Sequence, residues 1–148
     1  MILSKTTEYA LRAVVYIALA AAAQHKAGIK QIAAELDLPV HFIGKILQDL
    51  VRKNIIASSK GPGGGFYMQR NAHEITILEI VRSIDGVELF RRCGMGMQHC
   101  SDTHPCPLHD DFKVIRDKLL HVLSSRTVGN LVESINTGTA SIINIHKV

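Results

Sequence analysis

Apolar positions along the chain recur first at helical spacing, then briefly at strand spacing, then at helical spacing again. From Ser4, a residue suited to an N-cap, the positions Tyr9, Ala13, Tyr16, Ile17 and Ala20 predict a helix to about Gln24, with Glu8 in its first turn. Gly28 breaks this pattern. Ile29 to Leu36 reads as a short second helix with Ile32, Ala33 and Leu36 inward, followed by a tight turn at Asp37-Leu38-Pro39. Pro39 suits the first position of a third helix, where its missing N–H costs no hydrogen bond. That helix, about 40–53, buries Phe42 or Ile43 with Ile46, Leu47 and Leu50, and exposes His41, Lys45, Gln48, Arg52 and Lys53. Ile55 to Lys60 and Phe66 to Arg70 are strand-like, and Gly61-Pro62-Gly63-Gly64-Gly65 joins them as a hairpin. Thr76 and Glu79 form a capping box for a fourth helix, Ile77 to Ile84, which Gly86 stops. Further on, Leu108, Phe112, Ile115, Leu119 and Val122 make a two-heptad apolar seam, suited to pairing with a second copy or to packing within one subunit. Thr127 opens a last short helix carrying Leu131, Val132 and Ile135, and the tail beyond it has no pattern.

These elements predict a mainly α fold with a small β-hairpin wing: a winged helix-turn-helix plus a long dimerisation helix. A helix-turn-helix pattern alone is common, but a hairpin directly after the polar-faced helix strengthens it. The chain divides into residues 1–85 (winged helix-turn-helix), 86–107 (a cysteine-rich loop), 108–135 (dimerisation helices) and 136–148 (tail). Gly61, Gly63 and Gly64 let the wing backbone approach phosphates or the minor groove, and Lys60 and Arg70 place charge at its bases. The run is not a nucleotide-binding loop, because no Gly-Lys-Ser/Thr follows it.

Charge agrees with this division. Residues 1–71 carry nine Lys/Arg against four Asp/Glu, a balance of +5, while residues 72–148 carry eight against nine, a balance of −1. The basic excess sits where contact with a polyanion is expected. Apolar residues make up 47% of the 148 and charged ones 20%, which excludes a disordered chain. The apolar stretch Tyr9 to Ala23 is interrupted by Arg12 and lacks a basic lead, so it reads as a buried helix, not a signal or membrane span. A cytoplasmic location is therefore expected.

The three cysteines, Cys93, Cys100 and Cys106, lie within fourteen residues rich in Gly, Met and His, and His109 follows two residues later. In a reducing compartment an odd cysteine count favours a metal or a redox role over a structural disulfide. Three thiolates and one further ligand can hold an iron-sulfur cluster. Zinc in a Cys3His site and metal-free redox thiols are the alternatives; structural zinc usually uses paired Cys-x2-4-Cys knuckles, absent here. Cys106 and His109 could form a nucleophilic pair, but no orienting acid or oxyanion loop accompanies them, so an enzyme is not expected.

Tyr9-Ala10-Leu11-Arg12-Ala13, Ile32-Ala33, Leu50-Val51-Arg52-Lys53-Asn54 and above all Lys60-Gly61-Pro62-Gly63-Gly64-Gly65-Phe66, followed by three cysteines, resemble the Rrf-type winged-helix regulators, the family of the iron-sulfur regulator IscR and the nitric-oxide sensor NsrR. The resemblance implies a homodimer crossing through residues 108–123, binding to double-stranded DNA at a palindromic operator, and repression controlled by a 2Fe-2S or 4Fe-4S cluster that senses nitric oxide, redox state or iron-sulfur status. It places base reading at His41, Phe42 and Lys45, with Lys60 at the wing. Pro39 and Val40 stand where small polar residues are common, so operator sequence does not transfer. The family offers two fourth ligands. His109 matches the IscR arrangement, and Glu8 matches an acid donated from the opposite subunit in NsrR-like proteins; Glu8 is slightly preferred, because an oxygen ligand binds iron weakly and leaves room for a diatomic gas. A cluster-free, thiol- or zinc-dependent regulator of sulfur or cysteine metabolism is the alternative function.

Overall fold

The structure, a computed structural model, describes residues 2–142; of the tail expected over 136–148, residues 143–148 lie outside the described residues. Helix α1 (Lys5–Ala22) is the hub on which the other elements pack. Ser4 caps it by accepting a hydrogen bond from the Thr7 N–H. Ala10, Ala13, Val14 and Ile17 are fully buried, and the small alanines let neighbouring helices approach closely. Tyr9 and Tyr16, expected in the core stripe, are half-buried at its edge. The helix ends two residues before Gln24, which adopts a left-handed conformation (φ 63°) as the chain turns toward Ala27.

α2 (Ile29–Leu36) has the expected bounds and ends at Asp37, also left-handed. Pro39 is not the first residue of α3 but its N-cap: ψ is 135°, because the chain must extend there to turn from α2 into α3. α3 (Val40–Arg52) buries Ile43, Ile46, Leu47 and Leu50, leaving Phe42 exposed, and Asn54 stops it with φ 58°.

The hairpin strands are shorter than expected. β1 (Ala57–Ser59) pairs antiparallel with β2 (Gly65–Tyr67), Ala57 opposite Tyr67 and Ser59 opposite Gly65. Ile55 and Ile56 precede the ladder and drop into the core instead. Phe66 also pairs with Ala27, its N–H donating to the Ala27 carbonyl at 2.8 Å and its carbonyl accepting from Ala27 at 3.0 Å. The wing is thus fastened to the segment between α1 and α2. One residue between helices has no alternation, which is why the sequence pattern does not reveal it.

α4 (Ile77–Asp85) is capped by Thr76, whose hydroxyl accepts from the Glu79 N–H. The Glu79 carboxylate pairs with Arg70 through two hydrogen bonds (2.5 and 3.2 Å). Arg70 therefore clamps the end of the wing to α4 and does not supply charge to the wing base. α5 (His109–Ser125) and α6 (Val128–Asn136) follow the cysteine loop, with Thr127 and Asn130 forming a capping box on α6. The chain then returns to its own middle. Ile77 N–H donates to the Arg126 carbonyl and Val128 N–H to the Ile75 carbonyl, both at 2.9 Å, and Leu123, Val128 and Val132 join the core around α1. The heptad seam is divided: Leu119 packs on the core and Phe112 is half-buried, while Leu108, Ile115 and Val122 are exposed. Among the described residues no helix is long and apolar enough to cross a membrane.

Candidate metal centre and nucleic-acid face

Gly86 ends α4 with φ 74°, and after a 3-10 turn at Glu88–Phe90 the chain enters the cysteine loop. Cys93 turns back on itself: Gly96 N–H donates to the Cys93 carbonyl at 2.9 Å, with Gly96 at φ 74°. This brings the backbone N–H groups of Met97 and Met95 onto the Cys93 sulfur, which lowers its pKa to about 7 against the opposing effect of burial; hydrogen bonds from Cys106 and Cys100 add to the lowering. Burial and then the adjacent Cys93 push the Cys100 thiol up. The sulfurs of Cys93, Cys100 and Cys106 all lie within 4.8 Å of one another, and none forms a disulfide.

Within that group the donors form two pairs. Cys93 Sγ and Cys106 Sγ are 3.5 Å apart, and Cys100 Sγ is 2.9 Å from His109 Nδ1. Two sulfurs bound at about 2.3 Å to one tetrahedral metal stand about 3.8 Å apart, so the first pair has the separation of ligands sharing an ion. His109, the first residue of α5, is buried; its N–H donates to the Cys106 carbonyl and its Nε2 lies 3.0 Å from Asp102 Oδ1. Asp102 in turn accepts from Lys113 Nζ at 2.8 Å. Lys113 first, then His109, lowers the Asp102 pKa to about 2, and Asp102 raises that of Lys113. Sequence reasoning missed Asp102 and Lys113, whose pairing exists only once the loop folds onto α5.

The loop is seated on the first turns of α5. A Cβ on Gly94 would lie 2.3 Å from the Phe112 ring, and Arg116 donates to the Arg92 carbonyl at 2.6 Å. Glu8 lies in the first turn of α1, paired with Lys5 at 3.0 Å, and is not in the thiol group of its own chain. His99 and His104 are exposed.

In the winged half, His41 and Lys45 are exposed on α3. Phe42 is 37% exposed and meets Tyr9 edge-to-face, with ring centroids 5.7 Å apart, while the Arg12 guanidinium lies 5.2 Å from the Tyr9 ring centre. In the wing, Lys60, Gly61 and Gly63 are exposed and both glycines have open space around them. Gly64 differs: a Cβ there would meet the Ser59 carbonyl oxygen at 2.5 Å, so it closes the turn. Lys26 was not singled out by the sequence pattern; its Nζ hydrogen-bonds Ser59 and lies 4.9 Å from the Tyr67 ring centre.

A sequence profile for the Rrf2 family, described as iron-dependent transcriptional regulators, matches residues 3–134. The chain belongs to the Rrf2 family. Among Rrf2 relatives, the helix-turn-helix regulator NsrR of Geobacillus kaustophilus is 31% identical over 137 residues, 90% of each chain. The solved structure of CymR, the global cysteine regulator of B. subtilis, superposes with a TM-score of 0.73 at 21% identity, covering 88% of this chain and 95% of that one. IscR of T. potens gives 0.71 at 16% identity, covering 94% and 91%. At those identities the two structures establish the shared winged-helix fold.

Proposed function

We propose that this Rrf2 chain acts as a homodimer on a palindromic DNA operator and represses transcription under the control of an iron-sulfur cluster held by its cysteine loop. The observation that carries the reading is the gathering of three thiols into a sphere of 4.8 Å, paired as Cys93 with Cys106 and Cys100 with His109. Three thiols with an imidazole beside them are a soft donor set that suits cluster iron, and the chain lacks the paired Cys-x2-4-Cys knuckles usual in structural zinc sites. His109 replaces Glu8 as the favoured fourth ligand, because it is buried beside Cys100 and already starts α5. Such a cluster supplies a centre that exchanges electrons and reacts with nitric oxide.

The chain's own residues connect that site to DNA. Gly94 against Phe112, Arg92 against Arg116 and Asp102 against Lys113 fix the loop to α5. The exposed Leu108, at the N-cap of that helix, and Ile115 and Val122 within it stand one heptad apart, as a seam for the second subunit. Order in the loop then sets the pairing of α5 helices, hence the spacing of the two α3 helices that present His41, Phe42 and Lys45, with Lys60 at each wing. Loss of that order shifts the population away from the operator-binding spacing.

The test is the visible spectrum, with iron and acid-labile sulfide counts, of protein purified without air. A coloured protein whose bands change on adding nitric oxide, and whose Cys93→Ala, Cys100→Ala and Cys106→Ala variants fold but are colourless, is the expected result. Protein that stays colourless after reconstitution with iron and sulfide overturns the cluster. The lowered pKa of Cys93, 3.5 Å from Cys106, then favours a thiol switch in the same regulator.

A further inference from the structure

Asp102 belongs neither to the thiol group nor to the DNA-facing surface, yet its carboxylate sits at the back of His109. Oδ1 lies 3.0 Å from His109 Nε2 and 2.8 Å from Lys113 Nζ. The two partners differ in setting: the His109 side chain is 5% exposed, whereas that of Asp102 is 73% exposed at the loop surface. A neutral imidazole carries one proton on one of two nitrogens, and an ionised carboxylate can only accept. A proton on Nε2 satisfies Asp102 and leaves the Nδ1 lone pair facing Cys100 Sγ at 2.9 Å. The opposite tautomer would set a lone pair against the carboxylate and a donor against the thiol site. Lys113, one turn after His109 on α5, donates to the same Oδ1 and so helps fix where the acid points.

We propose that Asp102, clamped by Lys113, is the positioning residue that fixes the tautomer and ring orientation of His109, so that Nδ1 is the nitrogen offered to the cysteine site. The proposal rests on the reading of His109 as fourth ligand for its significance, but not for its geometry. Histidine ligands commonly donate their second nitrogen to a carboxylate, which fixes the ring and makes it a stronger donor. Here the carboxylate comes from the loop between two of the cysteines and its clamp from the helix, so the pair also ties the loop to α5.

Proton-detected two-bond nitrogen correlation spectra of the full-length, reduced, metal-free protein read the tautomer directly, with the His109 signals assigned through His109→Gln. Wild type is expected to show the Nε2–H form, Asp102→Glu to retain it, and Asp102→Ala to give a mixture. A wild-type Nδ1–H form, or an Asp102→Ala spectrum identical to wild type, overturns the proposal. If Asp102→Ala does not fold, Lys113→Gln leaves the acid in place but unclamped; it must weaken the tautomer preference, and no change there also overturns the idea. In cluster-loaded protein, Asp102→Ala should lose iron to a chelator with about 10–100-fold weaker retention. A changed tautomer with unchanged retention supports the positioning role and overturns His109 as a ligand.

Discussion

At Gly65 two constraints coincide: φ is +136°, and an added Cβ would lie 2.8 Å from the Ala27 carbonyl oxygen. Gly61 has a positive φ as well but open space beyond it. Gly65→Ala is therefore expected to destabilise the protein by about 1–3 kcal/mol through strain and further through the collision, and Gly61→Ala by less. Urea denaturation of the two variants ranks them; equal midpoints would sink the distinction. Binding at this scale is electrostatic as well as specific. Lys45→Ala and Lys60→Ala should each weaken operator binding, and a lysine that contacts phosphate should reduce the slope of log affinity against log salt by about 1. A residue that instead reads a base changes sequence preference, so the salt series separates the two roles.

The N-terminus of α1 is tied to the C-terminal end of α4 by Asp85, whose carboxylate accepts from both the backbone N–H and the hydroxyl of Ser4. Burial opposes its ionisation, but the hydrogen bonds from Ser4 prevail and hold its pKa below the usual 3.8. A carboxylate with a lowered folded pKa contributes stability above its unfolded value, and that contribution is lost as pH falls through the folded one. Asp85→Asn should accordingly be less stable than wild type near neutrality, with the difference shrinking below about pH 4. A constant difference across an acid denaturation series would exclude this linkage. Elements of this kind were legible to different degrees. The three helices α1, α2 and α3 could be read from their period, because each buries one apolar stripe in the shared core, although Pro39 caps α3 instead of starting it. The wing could be located by its glycines but not measured, since Ile55 and Ile56 have strand-like sequences and core positions. The three cysteines stood out by their spacing, and the structure brings their sulfurs together, whereas His109 was one of two candidates the resemblance offered, behind Glu8. Asp102 and Lys113 were not legible, because their pairing depends on how the loop folds onto α5.

In the whole molecule, α5 is amphipathic in two directions. Leu123 and Leu119 face the core of their own subunit, while Ile115 is 58% exposed and Val122 45%. Ile115→Glu is expected to leave the monomer folded and to shift sedimentation from dimer to monomer, with operator affinity falling in parallel. A dimeric Ile115→Glu would move the interface elsewhere. The same helix has no free end. Residues 126–128 are hydrogen-bonded to residues 75–77, so α4, the cysteine loop and α5 form a closed ring rooted on one core. A ring behaves unlike an arm under insult. Cutting it once, for instance by a protease in the exposed stretch around Met95 and Met97, leaves both strands of the break anchored in the same interior, so the two fragments stay together as one particle. Whatever happens to the thiols, the winged half keeps α6 as part of its foundation, and the cysteine loop can change its chemistry without being shed.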